Sequence, residues 1–393
     1  MNAPHDPDRG AKPPSIVARP FVWRDPATLP ARAWVYPWHY IRKFVSVTVA
    51  PGGVGKSSLV IAEALALVTD RNLLGTNPAA PVRVWLWNGE DPRDELQRRV
   101  TAAMVHHGIA PAEIEGRLFL NSGREDVICI AVQDRLGVRV AEPNVDAITR
   151  TIRENAIDVV IIDPFVSSHA VTENDNNAID RVAKTWARIA DATNTAIELV
   201  HHSRKNGGSE TTVEDGRGAV ALLAAARAAR VLNVMTKEEA ERAGVERHHE
   251  YVRIDDGKAN LTPMSEASQW FRKVGVHLWN GPGGTGGDSV GVATAWSWPD
   301  PFDDLSARDL RAVQVAVSRG RWRKDAQAKD WVGHPIAETL GIDIADKSGK
   351  SRVKALQRVW TDTGVLIEVI EKDERRMERT YVRASAQDQG EAP

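Results

Sequence analysis

The stretch SVTVAPGGVGKSSL, residues 46–59, joins a β-branched run to a helix-like run through a turn rich in glycine. It fits the pattern G-x-x-x-x-G-K-[S/T], except that Ala50 stands at the first glycine position. The glycines let backbone N–H groups turn towards one anion, and the positive end of the following helix points at the same place. The stretch therefore predicts a strand, a loop and a helix that together hold a nucleoside triphosphate.

The residues expected to contact the nucleotide run from the end of the strand into the first turn of the helix. They are Pro51, Gly52, Gly53, Val54, Gly55, Lys56, Ser57 and Ser58. Lys56 is predicted to reach the β- and γ-phosphate oxygens, and Ser57 to offer its hydroxyl to Mg²⁺. ATP and Mg²⁺ are therefore the expected ligands.

The composition is that of a globular protein of more than one domain. The chain has 393 residues, of which 42% are hydrophobic and 26% charged. A formal net charge of −2 means that any affinity for nucleic acid has to come from local patches. The single cysteine, Cys129, excludes an intrachain disulfide, and no apolar run is long enough to cross a membrane. These features favour a cytoplasmic protein with no membrane partner.

From Val45 to about Met235, short apolar runs alternate with stretches of helical periodicity. This alternation predicts an α/β fold built from βαβ units around a mostly parallel sheet. The runs HEYVRIDDGKANLTP, QWFRKVGVHLW and SVGVATAW then follow without long helices between them, and they predict an antiparallel extension of the same sheet.

The proline- and acid-rich segment WSWPDPFDD predicts a domain boundary. Beyond it, three helical segments precede a possible hairpin, an order that is typical of a winged helix-turn-helix. Ser306 and Asp309 have the spacing of a capping box at the first of these helices. The predicted organisation is a flexible lead-in over residues 1–33, an ATPase domain over 34–299 and a winged-helix-like domain over 300–393.

Carboxylates follow two of the apolar runs. Asp163 ends DVVIID and is the expected Mg²⁺-side carboxylate, whereas Asp158 at the start of that run is assigned to a turn or a cap. Glu90 and Asp91 follow VRVWLWNG. Because strand ends gather round the ligand in open α/β sheets, Glu90 is the predicted general base, with Asp91 as the alternative. Both acids also suit the start of a helix at Pro92.

Two adjacent histidines end the run AIELVHH. Neighbouring residues of a strand point to opposite faces, so only one of them faces the nucleotide. His202 is the predicted sensor of the γ-phosphate, and the alternatives are metal binding or hydrogen bonding in the core.

The order of these motifs resembles a RecA-like motor, and more closely the RepA-type hexameric helicases of plasmids and their phage or mobile-element relatives. The likeness covers about residues 34–280 and rests on the following segments: APGGVGKSSL, WNGEDP, IIDPFVSSH…ENDNNAID, HHSRK, DGRGAVALLAAARAARVLNVMT and DDGKANLTP.

The resemblance implies a homo-oligomeric ring, with six as the expected number of subunits and ATP at the interfaces. It also implies an arginine finger that each subunit gives to its neighbour. Arg227 best matches the finger by position, and Arg230 is the near alternative. Lys258 is either a second group acting on the neighbour's site or a turn lysine.

DNA contacts are expected from two places. In RecA-like motors the loop after the fourth strand faces the DNA channel, and here that loop carries Arg204 and Lys205. The alternative is a nucleotide-gated interface loop. In the last domain, Lys350, Arg352 and Lys354 mark the best candidate for a recognition helix. A solvated basic face, or a protein-docking module, are the other interpretations of that domain.

The leading hypothesis from the sequence is an ATP-driven helicase or translocase that acts on single-stranded DNA in replication. One alternative is an ATPase switch that does not unwind DNA. The other is a loader or scaffold whose ATP site controls its affinity for a replication partner. All three functions use the same nucleotide site.

Overall fold

The structure, a computed structural model, describes residues 17–203, 210–215, 219–263, 265 and 267–385. Contacts divide the chain into Met1–Ala33 and a compact unit, Trp34–Pro393. In the first unit, Asp25 caps a single 3₁₀ turn, Pro26–Thr28. The predicted boundaries after residues 33 and 299 remain predictions about independently folding domains. Within the described part of the chain, no helix is both long enough and apolar enough to span a bilayer.

The helices and strands of the second unit follow one another along the chain. Up to the middle of the chain they are β1 (Trp34–Tyr36), β2 (Tyr40–Ile41), β3 (Val45–Ala50), α1 (Lys56–Thr69), β4 (Val84–Asn88), α2 (Arg93–His107), α3 (Pro111–Ile114), β5 (Leu118–Ser122), β6 (Ala131–Asp134), β7 (Gly137–Val140), α4 (Glu142–Glu154), β8 (Val159–Asp163), α5 (Asn176–Thr193) and β9 (Ala196–His202). The later ones are α6 (Ala219–Ala225), β10 (Ala228–Val234), α7 (Lys237–Ala243), β11 (Tyr251–Ala259), β12 (Gln269–His277), β13 (Ser289–Ala295), α8 (Ala307–Ser318), β14 (Trp322–Arg323), α9 (Gly333–Leu340), α10 (Lys347–Asp362), β15 (Leu366–Lys372) and β16 (Glu378–Ala384).

The main sheet has nine strands in the order β13-β12-β11-β10-β3-β9-β8-β4-β5. Strands β10, β3, β9, β8, β4 and β5 run parallel, and β11, β12 and β13 extend the sheet in antiparallel pairs. The predicted mostly parallel sheet is therefore confirmed, with the antiparallel extension at one edge. β9 lies between β3 and β8, so the strand before the phosphate loop and the strand that ends at Asp163 are not direct neighbours.

Helix α1 is enclosed on nearly every side. Every residue from Leu59 to Val68 is buried, which fits a helix that is apolar all round rather than along one stripe. Its side chains share one core with strands β4 and β8 and with helix α2, and Val292 of β13 joins that core from the far edge of the sheet. The edge strand and α2 thus both cover α1, and the loop at its start is fixed by them.

One buried ion pair ties α1 to strand β10. The guanidinium of Arg230 makes two hydrogen bonds to the Glu63 carboxylate, at 2.6 and 2.7 Å, and a third to Thr48 Oγ1 at 2.8 Å. The Tyr40 hydroxyl donates to the same carboxylate. Burial alone would lower the pKa of Arg230, but Glu63 outweighs burial and the pKa is raised. The arginine is therefore fully charged inside the fold.

A second buried carboxylate, Glu198 of β9, extends this network. It accepts hydrogen bonds from the Ser46 and Thr48 hydroxyls, and its Oε2 lies 2.9 Å from His39 Nε2. Burial alone would raise the pKa of Glu198, but His39, Arg230 and Ser46 together lower it. The network thus joins β2, β3, β9, β10 and α1 through charged and polar groups that share their partners.

The C-terminal elements form a small layer of their own. α8, α9 and α10 pack on a three-stranded sheet in the order β14-β16-β15, around a core that contains Trp331 and Trp360. The capping box predicted at the first of these helices is confirmed, because Ser306 Oγ accepts from the Asp309 N–H at 3.3 Å and Asp309 Oδ2 accepts from the Ser306 N–H at 2.9 Å.

We expect Arg230→Met to destabilise the protein by about 3–5 kcal/mol, because Glu63 would stay buried without its cation. Chemical denaturation would measure the free energy of unfolding. Arg188→Met is the matched control, since Arg188 pairs with Glu142 at an exposed site and its loss should cost at most about 1 kcal/mol. The double variant Glu63→Met/Arg230→Met should regain much of the loss. Equal stability of the Arg230→Met and Arg188→Met proteins would contradict this account.

Candidate nucleotide site

The loop between β3 and α1 carries the predicted phosphate-binding residues. Gly53 and Gly55 have φ angles of 82° and 120°, which only glycine adopts readily. Gly55 is also the N-cap residue of α1, and because it has no side chain, it provides no side-chain capping hydrogen bond to the first N–H groups of the helix. Ala50, by contrast, is the last residue of β3 and does not have a positive φ. Alanine replaces the first glycine of the motif at no conformational cost.

Lys56 is buried at the start of α1, with 5% of its surface exposed. Its ammonium donates to the carbonyl oxygens of Ala50, at 3.0 Å, and Pro51, at 2.8 Å. Burial lowers the pKa of Lys56 to about 8, although the charges of Asp163 and Glu90 act in the opposite direction. The side chain is thus held at the loop by backbone contacts and lies within the field of both carboxylates.

Asp163 ends β8, with 3% of its surface exposed. Its side chain is hydrogen-bonded to that of Ser57, and Asn88 Nδ2 lies 3.4 Å from its Oδ2. Burial raises the pKa of Asp163, while Ser57 and Lys56 favour the carboxylate. A buried carboxylate beside a hydroxyl is a pair of hard oxygen donors, which suits Mg²⁺. Ser57 and Asp163, the two predicted metal-side residues, therefore fit the ion that the sequence implies.

Ser58, also predicted to contact the nucleotide, uses its hydroxyl elsewhere. Ser58 Oγ donates to the Gly291 carbonyl of β13 at 2.9 Å. The hydroxyl therefore ties α1 to the edge strand. The sequence could not show this, because β13 lies far from the loop along the chain.

Glu90 and Asp91 lie just beyond β4, where Asn88 holds the turn. Asn88 Oδ1 accepts from the backbone N–H of Glu90 at 3.0 Å and of Asp91 at 2.8 Å. The Asp91 carboxylate is then engaged by Arg99 Nη2 at 3.1 Å, whereas the Glu90 side chain is 60% exposed. Glu90 rather than Asp91 therefore has its carboxylate available to a ligand or a water molecule.

Asn88 itself was not predicted from the sequence. It lies at the end of β4 and contacts Asp163 as well as the turn to Glu90. A polar residue that ends an otherwise apolar strand is the signal that identified Asp163, and the same signal could have found Asn88.

His202 ends β9 beside the phosphate loop. It pairs in register with Ala50 of β3, and its Nε2 lies 3.8 Å from Glu90 Oε1. Burial lowers the pKa of His202, and Lys56 lowers it further, while Glu90 acts in the opposite direction. His201 instead packs edge-on to Phe165, with 5.9 Å between the ring centroids. Of the two histidines, His202 is therefore the one near Lys56 and Glu90.

Arg227 and Arg230, the two candidates for an arginine finger, lie in different surroundings. Arg230 is buried in its ion pair with Glu63 and so has no access to a neighbouring subunit. Arg227 is exposed, with its guanidinium 5.8 Å from the centre of the Phe44 ring. Its N–H donates to the Val45 carbonyl at the start of β3. The phosphate loop is at the other end of that strand, about 17 Å away at about 3.3 Å per residue.

Lys258 is a neighbour of Arg227. Its ammonium donates to the Leu223 carbonyl, and both burial and the charge of Arg227 lower the pKa of Lys258. Two cations thus lie together beside the start of β3, at the end of the strands that is remote from Lys56.

The basic residues of α10 divide into two kinds. Lys350 and Lys354 are exposed. Arg352 instead donates from Nε to the Pro301 carbonyl at 3.0 Å and from Nη2 to the Asp303 carbonyl, so its guanidinium is used within the fold. The prediction of a DNA contact by Arg352 is not supported by this placement. Arg204 and Lys205, the other predicted DNA-contacting residues, lie outside the described residues.

Helix α10 also rests against helix α7 of the larger layer. Ser351 Oγ donates to the backbone carbonyls of Glu241 and Arg242, the latter at 3.0 Å. A cavity of about 800 Å³ beside this contact is lined by Trp298, Arg242 and Arg358 among others. One side of the predicted recognition helix is therefore occupied by the protein itself.

We expect nucleotide affinity to fall as the pH rises through about 8, because Lys56 has to be charged to bind an anion and its pKa in the free protein is about 8. Above that pH, binding has to take up a proton, so the Kd for ADP should rise by up to about tenfold per pH unit. Calorimetric titrations between pH 7 and pH 9.5 would measure this. Lys56→Arg is the control, because its guanidinium stays charged; the same slope in both proteins would refute the assignment.

Comparison with known families agrees with this geometry. A family model described as AAA domain matches residues 11–208, which is 198 of the 393 residues of the chain. The matched range contains the phosphate loop, Glu90, Asp163 and His202. The chain therefore belongs to the AAA-domain family of P-loop ATPases.

Proposed function

We propose that this ATPase is a RecA-like motor of the RepA type, which forms a ring, hydrolyses ATP at the subunit interfaces and moves along single-stranded DNA. One observation carries the proposal. Lys56, Asp163, Glu90 and His202 gather at one end of the parallel strands, while the exposed Arg227 lies at the opposite end. A cation so placed is too far from its own phosphate loop to act there, and it suits the loop of a neighbour.

The residues at the phosphate loop have different roles in ATP hydrolysis. Lys56 binds the phosphate oxygens of ATP, and the N–H groups of the loop surround the same anion. Glu90 accepts a proton from the attacking water and orients it towards the γ-phosphate. Ser57 and Asp163 would hold Mg²⁺, which supplies positive charge to the phosphates when it is bound there.

His202 reports the state of the γ-phosphate in this scheme. Its Nε2 lies 3.8 Å from Glu90 Oε1, and it is the last residue of β9. A movement of His202 when the γ-phosphate is lost would therefore move the segment that follows it in the chain. That segment includes Arg204 and Lys205, the proposed contacts to the DNA backbone. The proposal thus places sensor and DNA contact next to each other in sequence.

Arg227 completes the site of the adjacent subunit, where its planar guanidinium neutralises the charge that develops on the transferred phosphoryl group. Lys258, its neighbour, adds a second positive charge at the same interface. Arg227 lies just before β10 and Lys258 lies near the end of β11, which pairs with β10, and β10 is held to α1 by the Arg230–Glu63 ion pair. The position of the finger is therefore coupled mechanically to the helix that begins at the phosphate loop.

The C-terminal layer is proposed to be a winged helix, since its order of elements is helix, strand, helix, helix, strand, strand. Lys350 and Lys354, which are both exposed, would contact DNA phosphates. The docking of α10 on α7 favours a second candidate function, in which the protein does not unwind DNA. In that case ATP controls the grip of this layer on DNA or on a replication partner, as in a switch or a loader.

Single-stranded DNA should raise the ATPase rate if the protein is a motor. The rate would be measured with and without a single strand of mixed sequence. Glu90→Gln should lower it at least about a hundredfold, while Asp91→Asn, whose carboxylate is paired with Arg99, should stay close to the unmodified protein. A rate that does not respond to single-stranded DNA, together with an inactive Glu90→Gln protein, would favour the switch or loader.

Mixed rings test the role of Arg227. Arg227→Ala alone should lose ATPase activity by roughly a thousandfold, as should Lys56→Ala alone. When the two inactive proteins are combined in equal amounts, about one interface in four pairs an intact Lys56 with an intact Arg227 from the neighbour, and activity should return. If the mixture stays as inactive as its components, Arg227 does not act on the adjacent subunit.

A further inference from the structure

Lys273, in strand β12, lies against the phosphate loop although it comes much later in the chain. A β-carbon built on Gly55 would lie 3.0 Å from Lys273 Cδ and 3.6 Å from its Cγ, and the Phe271 ring lies 3.6 Å from the same point. The aliphatic stem of Lys273 therefore crosses Gly55. Its ammonium is two bonds beyond the carbon that makes this contact.

The position of Lys273 is fixed by the edge of the sheet. Lys273 pairs in register with Ala293 of β13, whose carbonyl oxygen is 3.0 Å from His107 Nε2 of α2. Two residue pairs further along the same strands, Ser58 of α1 donates to the Gly291 carbonyl. The antiparallel extension is thus tied both to the first turn of α1 and to α2, and it holds Lys273 beside the loop as a wall of the site.

The charge of Lys273 has no carboxylate partner among the described residues. Glu250 is the acid whose charge opposes the lowering of the Lys273 pKa that burial causes. Glu250, however, is already engaged by Arg272 at 2.8 Å and by Arg247 at 3.1 Å. The ammonium of Lys273 is therefore available to pair with an anionic ligand at the loop.

We propose that Lys273 is a second cation of the nucleotide site, which binds the phosphate chain of the nucleotide in addition to Lys56. This inference rests on nucleotide binding by the loop, as the proposed function does. The two lysines differ in their surroundings: Lys56 lies in the field of Asp163 and Glu90, whereas Lys273 lies in that of Glu250. In this proposal Lys273 contacts phosphates that ADP and ATP share, so it contributes to the binding of both nucleotides.

Calorimetric titration of the full chain with ADP, ATP and adenosine tests this assignment. Lys273→Met keeps most of the stem over Gly55 and removes the charge, so the Kd for ADP and for ATP should rise about tenfold. Lys273→Arg should restore part of the affinity. The Kd for adenosine should not change. The KM for ATP of Lys273→Met should rise, while its kcat at saturating ATP should stay within about twofold of that of the unmodified protein.

Two further variants separate the possible failures. Lys237→Met is the matched control, since Lys237 is an exposed lysine at the start of α7, and it should bind ADP like the unmodified protein. If Lys56→Met loses binding while Lys273→Met does not, the role of Lys273 is refuted and nucleotide binding by the loop stands. Equal losses for ADP and adenosine would show that Lys273 only packs the site, and refute it too. If the unmodified protein binds neither ADP nor ATP, the proposed function fails and the role of Lys273 fails with it.

Discussion

Helix α1 brings a carboxylate, Glu63, into surroundings that are otherwise apolar on almost every side, and a carboxylate there requires a cation. Arg230 meets that requirement from β10 with two hydrogen bonds, and its third goes to Thr48 in β3. One side chain, that of Arg230 in β10, therefore joins the helix after the phosphate loop to the strand before it. A buried pair of this kind adds little net stability over an apolar core, but it admits few alternative arrangements.

The same network explains why two arginines three residues apart lie in different surroundings. Arg227 immediately precedes β10, and Arg230 is inside it with an inward-facing side chain. From the sequence, both lie in one alanine-rich segment, and helical periodicity would place them on the same face. The partner that distinguishes them is Glu63, which is 167 residues away from Arg230 along the chain. Local spacing therefore leaves the two arginines indistinguishable, and only the packing of α1 against the sheet shows that Arg230 is buried and Arg227 exposed.

Other parts of the site were predictable for a simple geometric reason. Parallel strands end at a common edge, so polar residues that follow apolar runs, such as Glu90, Asp163 and His202, are brought together whatever the details of packing. The antiparallel extension has no such rule. Lys273 lies at Gly55, and Ser58 donates to Gly291, because β12 and β13 pack against α1, a tertiary contact that the local sequence does not show. Arg352 is a similar case, because its hydrogen-bond partners are backbone carbonyl groups. Every residue has such a group, so the sequence does not identify the partners.

The separation of Arg227 from the phosphate loop also limits how copies of the chain can associate. If each loop receives the arginine of another subunit, the two complementary patches lie at opposite ends of the same sheet. A two-fold dimer, in which both contacts form across one shared surface, does not suit such an arrangement. The contact is then heterologous, and each subunit has a donor side and an acceptor side. Whether such contacts close into a ring or continue as a helical filament depends only on the rotation between neighbours.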